Sequence, residues 1–160
     1  MTRDELKQVI DSAEKDPKKI AAAVSGVPEL TLRFKPAPDK WSIVEMLAHL
    51  ADMEILYAYR MRQIIADKNP TIAPIDQDAW AKNLGYMEEK APELVAQFGL
   101  LRHHNLNLLR RIKEEDLEKG AFHPELNRKV TLSEMVGMLS RHGPNHLEQI
   151  ERIKKQATKS

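Results

Sequence analysis

From Ser42 to Asn69 the chain runs without a glycine or proline, and its apolar residues recur at helical spacing: Met46, Leu47, Leu50, Met53, Leu56, Tyr57, Met61, Ile64 and Ile65. A stretch of roughly 26 residues at 1.5 Å per residue makes a rod close to 40 Å long. A rod of that length with one apolar face requires other amphipathic helices to cover it. Alternating β-branched patterns, the mark of half-buried strands, are missing almost everywhere in the chain, so the expected fold class is all-α.

The rest of the punctuation agrees. A first helical region spans about Thr2 to Val24, with Leu6, Val9, Ile10, Ile20 and Val24 apolar and a break or kink expected at Asp16-Pro17. Gly26 to Asp39 reads as a connector. Ser42-Ile-Val-Glu45 is a capping box that opens the second helix, and Asn69-Pro70 closes it. Pro70 to Lys90 is a long connection holding one short helix near Asp76–Leu84, stopped by Gly85. A third helix begins at Pro92 with Leu94, Phe98, Leu101, Leu108 and Ile112 on its apolar face. Glu114 to Val130 reads as loop, and Thr131-Leu-Ser-Glu134 is a second capping box for the last helix. Four long helices with two long connections imply a four-helix bundle that is not simply up-down-up-down, with one short extra helix. At 160 residues, one domain over 1–160 is expected, large enough to bury a core unaided.

Charge and composition exclude several function classes. Lys+Arg 25 against Asp+Glu 24, interspersed in sign, leaves no footprint for nucleic acid. The one basic run, Arg152 to Lys159, suits the C-terminal end of a helix. No segment approaches the ~20 apolar residues of a membrane span and the N-terminus lacks a signal core, so a cytoplasmic, soluble protein is expected. With no cysteine there is no thiol nucleophile and no thiolate ligand; a metal would be held by His and carboxylates.

Such ligands stand in the last helix. His142 and His146 lie four residues apart within the arc of an apolar stripe formed by Leu132, Met135, Val136, Leu139, Ile150 and Ile153. Buried imidazoles need partners for their ring nitrogens, and two of them one turn apart compete for the same ones; a shared metal ion satisfies both. His49, on the flank of the apolar face of the second helix beside Met46, Met53 and Leu56, could complete a three-His site with an open position of the catalytic kind. Against this, His pairs at this spacing also occur as packed or surface residues, and a single buried His is more often a satisfied core residue.

The segments Lys40-Trp-Ser-Ile-Val-Glu-Met-Leu-Ala-His-Leu-Ala-Asp52, Ile75-Asp-Gln-Asp-Ala-Trp80 and Thr131-Leu-Ser-Glu-Met-Val with His142-x-x-x-His146-Leu-Glu-Gln-Ile150 resemble the DinB/YfiT superfamily over about residues 30–155. The resemblance implies a DinB-like four-helix bundle with long crossover connections, often a homodimer. It also implies a divalent metal, zinc or nickel, on His49, His142 and His146. The implied activity is hydrolysis of a small-molecule substrate or transfer to a low-molecular-weight thiol; a non-catalytic metal-binding or regulatory bundle is the competing reading. One departure is Gly143-Pro144 between the two histidines, where a helix loses about 3 kcal/mol to the proline and about 1 to the glycine, so a kink or restart is expected there.

Among the neighbours, Asp52 follows His49 by three residues and is a candidate base or second-layer acceptor, with a solvated carboxylate as the alternative. Asp76 and Glu45 read first as caps, Arg60 as a salt-bridge partner, and Asn105 as a buried amide bonded between helices. Trp41, Trp80 and Tyr57 read as packing anchors. His103 is expected in solvent, and His123 in a loop.

Overall fold

The computed structural model describes residues 1–158, so Lys159 of the basic tail lies outside the described residues. In chain order the helices are α1 (Arg3–Ala13), α2 (Asp16–Val24), α3 (Glu29–Leu32), α4 (Ile43–Ala66), α5 (Gln77–Asn83), α6 (Ala91–Leu109) and α7 (Leu132–Ala157). A two-stranded antiparallel sheet, β1 (Gly120–His123) with β2 (Arg128–Thr131), precedes α7, and single 3-10 turns cover Tyr86–Glu88 and Glu114–Glu118.

The starts of the long helices follow from their caps. Ser42 Oγ accepts from the Glu45 amide at 3.2 Å while Glu45 takes the Ser42 amide at 2.7 Å, and Thr131 with Glu134 repeats the pattern at 3.2 and 2.8 Å. Thr2 and Glu5 form a third capping box. The first helical region does break before Pro17, which sits in the first turn of α2 where its missing N–H is harmless. α4 is 24 residues long and ends at Ala66, short of Asn69.

Two expectations are corrected. The connector from Gly26 contains the one-turn helix α3. Glu114 to Val130 is not an open loop: it holds a 3-10 turn and then the β1–β2 hairpin, closed with Asn127 in the left-handed region and register Gly120↔Thr131 to His123↔Arg128. His123 is therefore the last residue of β1 rather than a loop residue. Gly120 is needed in this hairpin, because a Cβ there would lie 2.5 Å from the Val130 carbonyl oxygen.

α4 packs on α6 and on α7, and the broken α1–α2 leg packs against both α6 and α7, which closes a ring of four. The interior is divided into two apolar clusters. One gathers Leu6, Ile10, Met61, Leu109 and Leu139; the other gathers Ile20, Leu47, Phe98, Leu94 and Ile150. Every leg crosses from one cluster to the other, and at the crossing each contributes buried or half-buried polar residues: Asp16, His49 with Glu54, Arg102 with Asn105, and His142 with His146. A polar layer thus lies across the bundle. It also shifts the inner face of α6, where Arg102, Asn105, Leu106 and Leu109 are buried and Leu101 and Leu108 only half so. Among the described residues, no helix is long and apolar enough to cross a membrane.

Candidate metal centre

The three histidines singled out by spacing meet inside this layer. α7 continues through Gly143-Pro144 from Leu132 to Ala157, so no restart separates His142 from His146, and the two rings share a face with centroids 4.6 Å apart. His49 comes from the second turn of α4, its ring centroid 4.9 Å from each of the other two. The Nε2 atoms converge: His142 Nε2 lies 3.0 Å from His49 Nε2 and 3.2 Å from His146 Nε2. One ligand nitrogen from each ring lies within 4.8 Å of the others, in a cluster able to hold a metal ion.

These distances can be tested against a metal. Tetrahedral bonds of about 2.0–2.1 Å place two nitrogens roughly 3.3–3.4 Å apart, close to both separations. Protons satisfy the cluster poorly. His146 Nδ1 lies 2.8 Å from Gln149 Oε1, a contact that puts the proton on Nδ1 and leaves Nε2 as a bare lone pair. His142 Nε2 can then donate to one neighbour only, so the cluster is electron-rich toward its centre. The donor set fits a divalent cation that accepts imidazole.

Burial sets the charge state. His49 is 4% exposed and His146 9%. Desolvation holds the His49 imidazole down at about 3 and that of His142 at about 2, with the neighbouring histidines and the Arg102 guanidinium adding to the effect at His142. His146 is also lowered by burial, and Gln149 opposes the shift. All three rings are therefore neutral at pH 7, the form that ligates. His142 Nδ1, on the other side of its ring, is buried and has no hydrogen-bond partner.

The surroundings sort the remaining candidates. The Trp41 ring packs 4.9 Å from that of His49 and its indole N–H donates to Asp78 Oδ1 at 3.1 Å; Tyr57 meets His142 edge-on at 5.9 Å, its hydroxyl pushed up to about 12 mainly by burial. Asp52 is half-buried, and its carboxylate accepts from the Tyr86 hydroxyl. Asp76 caps α5 by accepting from the Ala79 amide at 2.9 Å, and Glu45 adds an ion pair to Lys35 at 2.9 Å. Arg60, expected in a salt bridge, donates to the Ala73 carbonyl at 2.8 Å. Asn105 is bonded between helices, to the backbone and side chain of Glu54. His103 and His104 are exposed on α6 and lie apart from the cluster, in contact with Asn107 and Arg62.

A cleft of about 690 Å³ opens beside His146, walled by Trp41, Lys40, Asp78, Gln149 and Arg152. It gives a small molecule access to the cluster from the His146 side. Two features were not read from the sequence: the role of Gln149, one turn beyond His146, and the buried charges Asp16, Glu54 and Arg102. The i,i+3 step from His146 to Gln149 is a usable signal for the first.

The chain is similar to several known proteins. A relative from Bacillus cereus (strain 03BB102), provisionally named a metal-dependent hydrolase, is 26% identical over 157 residues, covering 97% of this chain and 88% of its own. One from Bacillus thuringiensis subsp. konkukian (strain 97-27), named in the same way, has the same identity and coverage. Among solved structures, YfiT from Bacillus subtilis, described as a probable metal-dependent hydrolase with an unusual four-helix bundle topology, superposes with a TM-score of 0.91 at 21% identity, over 97% of this chain and 89% of that one. A mycothiol-dependent maleylpyruvate isomerase shares the fold at a TM-score of 0.68 and 16% identity, covering 92% of this chain and 62% of its own. The sequence pattern of the DinB superfamily matches residues 12–150, and the chain belongs to that superfamily.

Proposed function

We propose that His49, His142 and His146 hold one divalent metal ion, zinc or nickel, and that the protein is a metal-dependent hydrolase of a small molecule bound in the cleft beside His146. The observation that carries this reading is the convergence of three Nε2 atoms at 3.0 and 3.2 Å with neutral rings. Bound by these three imidazoles, a divalent ion would supply Lewis acidity and water activation near neutral pH. The chain's own residues do the rest. Gln149 holds the His146 proton on Nδ1 so that Nε2 points into the cluster. Trp41 shields the His49 ring and closes one wall of the cleft. Asp52 enters as a carboxylate through which a proton could pass, its position set by Tyr86.

The names of the Bacillus relatives support hydrolysis. A second reading, transfer to a low-molecular-weight thiol, is prompted by the fold shared with the mycothiol-dependent isomerase. Because the chain has no cysteine, that thiol would be a diffusible cosubstrate. Zinc- or nickel-loaded protein assayed on a panel of small esters and amides, with and without added thiol, separates the two. Turnover without thiol supports hydrolysis; turnover only with thiol supports transfer; none in either arm contradicts both. Asp52→Asn, with metal content kept, should lower turnover, and unchanged turnover removes Asp52 from the scheme.

A further inference from the structure

The polar layer contains a charge network that the proposed chemistry does not use. Arg102 on α6, with its side chain 1% exposed, lies between Glu54 of α4 at 0% and Asp16 of α2 at 3%. Its Nε donates to Glu54 Oε1 at 2.9 Å, and Nη2 stands 2.7 Å from the same oxygen as an ion-pair contact without hydrogen-bond alignment. Its Nη1 donates to Asp16 Oδ2 at 3.2 Å, and the guanidinium lies 5.0 Å from the centre of the Phe98 ring. Asn105 fixes the other side of Glu54. Buried networks of this kind are weak devices for stability, since apolar residues of the same volume often do as well. What they can do is fix geometry.

The geometry fixed here is that of the turn bearing His142. A Cβ on Gly143 would lie 2.8 Å from Asp16 Oδ2 and 3.1 Å from Asp16 Cβ, so α7 rests on the Asp16 side chain at the residue next to His142. Pro144 follows immediately and has no N–H to give to the Ser140 carbonyl, which loosens the helix at this point. His146 has Gln149 to orient its ring, whereas Nδ1 of His142 has no partner. His142 therefore takes its position from its main chain, and its main chain from the seat on Asp16.

We propose that Asp16, clamped by Arg102, is a positioning residue that sets His142 for metal binding through the Gly143 turn; the inference rests on the three-His metal reading above. The test uses the full chain and Co²⁺ as probe, with affinity measured by chelator competition and ligand geometry by the visible d–d absorption. Gly143→Ala should weaken Co²⁺ binding roughly tenfold to a hundredfold and alter the spectrum, while the metal-free protein still unfolds cooperatively. Should that variant fail to fold, Asp16→Ala should give the same loss. Asp16→Asn, which keeps the size and an acceptor oxygen for Arg102, should restore most of the affinity. Parent-like binding and spectrum in Gly143→Ala or in Asp16→Ala would overturn the inference, as would equal losses in Asp16→Asn and Asp16→Ala. A parent protein that takes up no Co²⁺, Zn²⁺ or Ni²⁺ overturns the metal reading and this inference with it; a parent that binds while the variants match it overturns this inference alone.

Discussion

Three imidazole nitrogens facing one another at 3.0 and 3.2 Å leave at least one lone pair without a proton, because His146 carries its proton on Nδ1 and donates it to Gln149 Oε1 on the far side of the ring. Removing that orienting bond should show directly: Gln149→Ala is expected to bind zinc roughly tenfold to a hundredfold more weakly with its helical content unchanged, and wild-type affinity in a chelator competition would refute the role. Burial of the same rings makes the metal-free protein acid-sensitive. The folded-state values of His49 and His142 lie at about 3 and 2, below the ordinary 6.5, so below pH 6.5 the unfolded chain takes up protons that the folded protein refuses. Stability is full above pH 6.5 and falls as the pH drops toward about 3, by about 1.4 kcal/mol per pH unit for each such histidine. Asp16 and Glu54 act in the opposite sense, since burial pushes their carboxyls up and the folded protein protonates them more readily. The histidine effect is therefore read as the difference between the parent and a variant that lacks one ring, in which the carboxyl effect is shared. Urea unfolding of metal-free parent and of His142→Ala below pH 6.5 should show the steeper decline in the parent, and equal slopes would contradict neutral buried rings.

At the scale of the element, α7 runs through a residue pair that disfavours helix. Gly143 is accounted for by the approach of Asp16, whereas the exposed Pro144 has no packing role of that kind. Pro144→Ala restores an amide donor to Ser140 and removes a ring clash, so it should stabilise the protein by about 1–3 kcal/mol; a lower melting temperature would show that the proline is itself required. The sequence already exposed the long helices, because Ser42 with Glu45 and Thr131 with Glu134 are local signals whose partners lie three residues away. Continuity across Pro144 was not legible, since the packing that holds α7 together comes from distant elements. The β1–β2 hairpin was missed for a different reason: four residues per strand are too few to display a period of two, and its bonds to Pro70 and Ile72 come from a distant part of the chain.

Across the whole molecule, a polar layer between two apolar clusters brings the histidines and the Asp16–Arg102–Glu54 network to one level of the bundle. The histidines were legible because His142 and His146 repeat at one helical turn inside an apolar stripe. The charges were not, because the apolar face of α6 that runs through Leu101 and Leu108 leaves Arg102 to one side, and only its partners on α2 and α4 explain why it turns inward. Arg102→Met leaves two buried carboxylates facing each other and should destabilise by about 3–5 kcal/mol in urea unfolding; stability equal to the parent would mean the network is replaceable piecemeal. The most direct measurement of the metal centre is elemental analysis of protein purified without a metal-affinity tag, beside His142→Ala. One zinc or nickel per chain, lost in the variant, is the expected result. No stoichiometric metal in the parent, or the same content in His142→Ala, would contradict a three-His site.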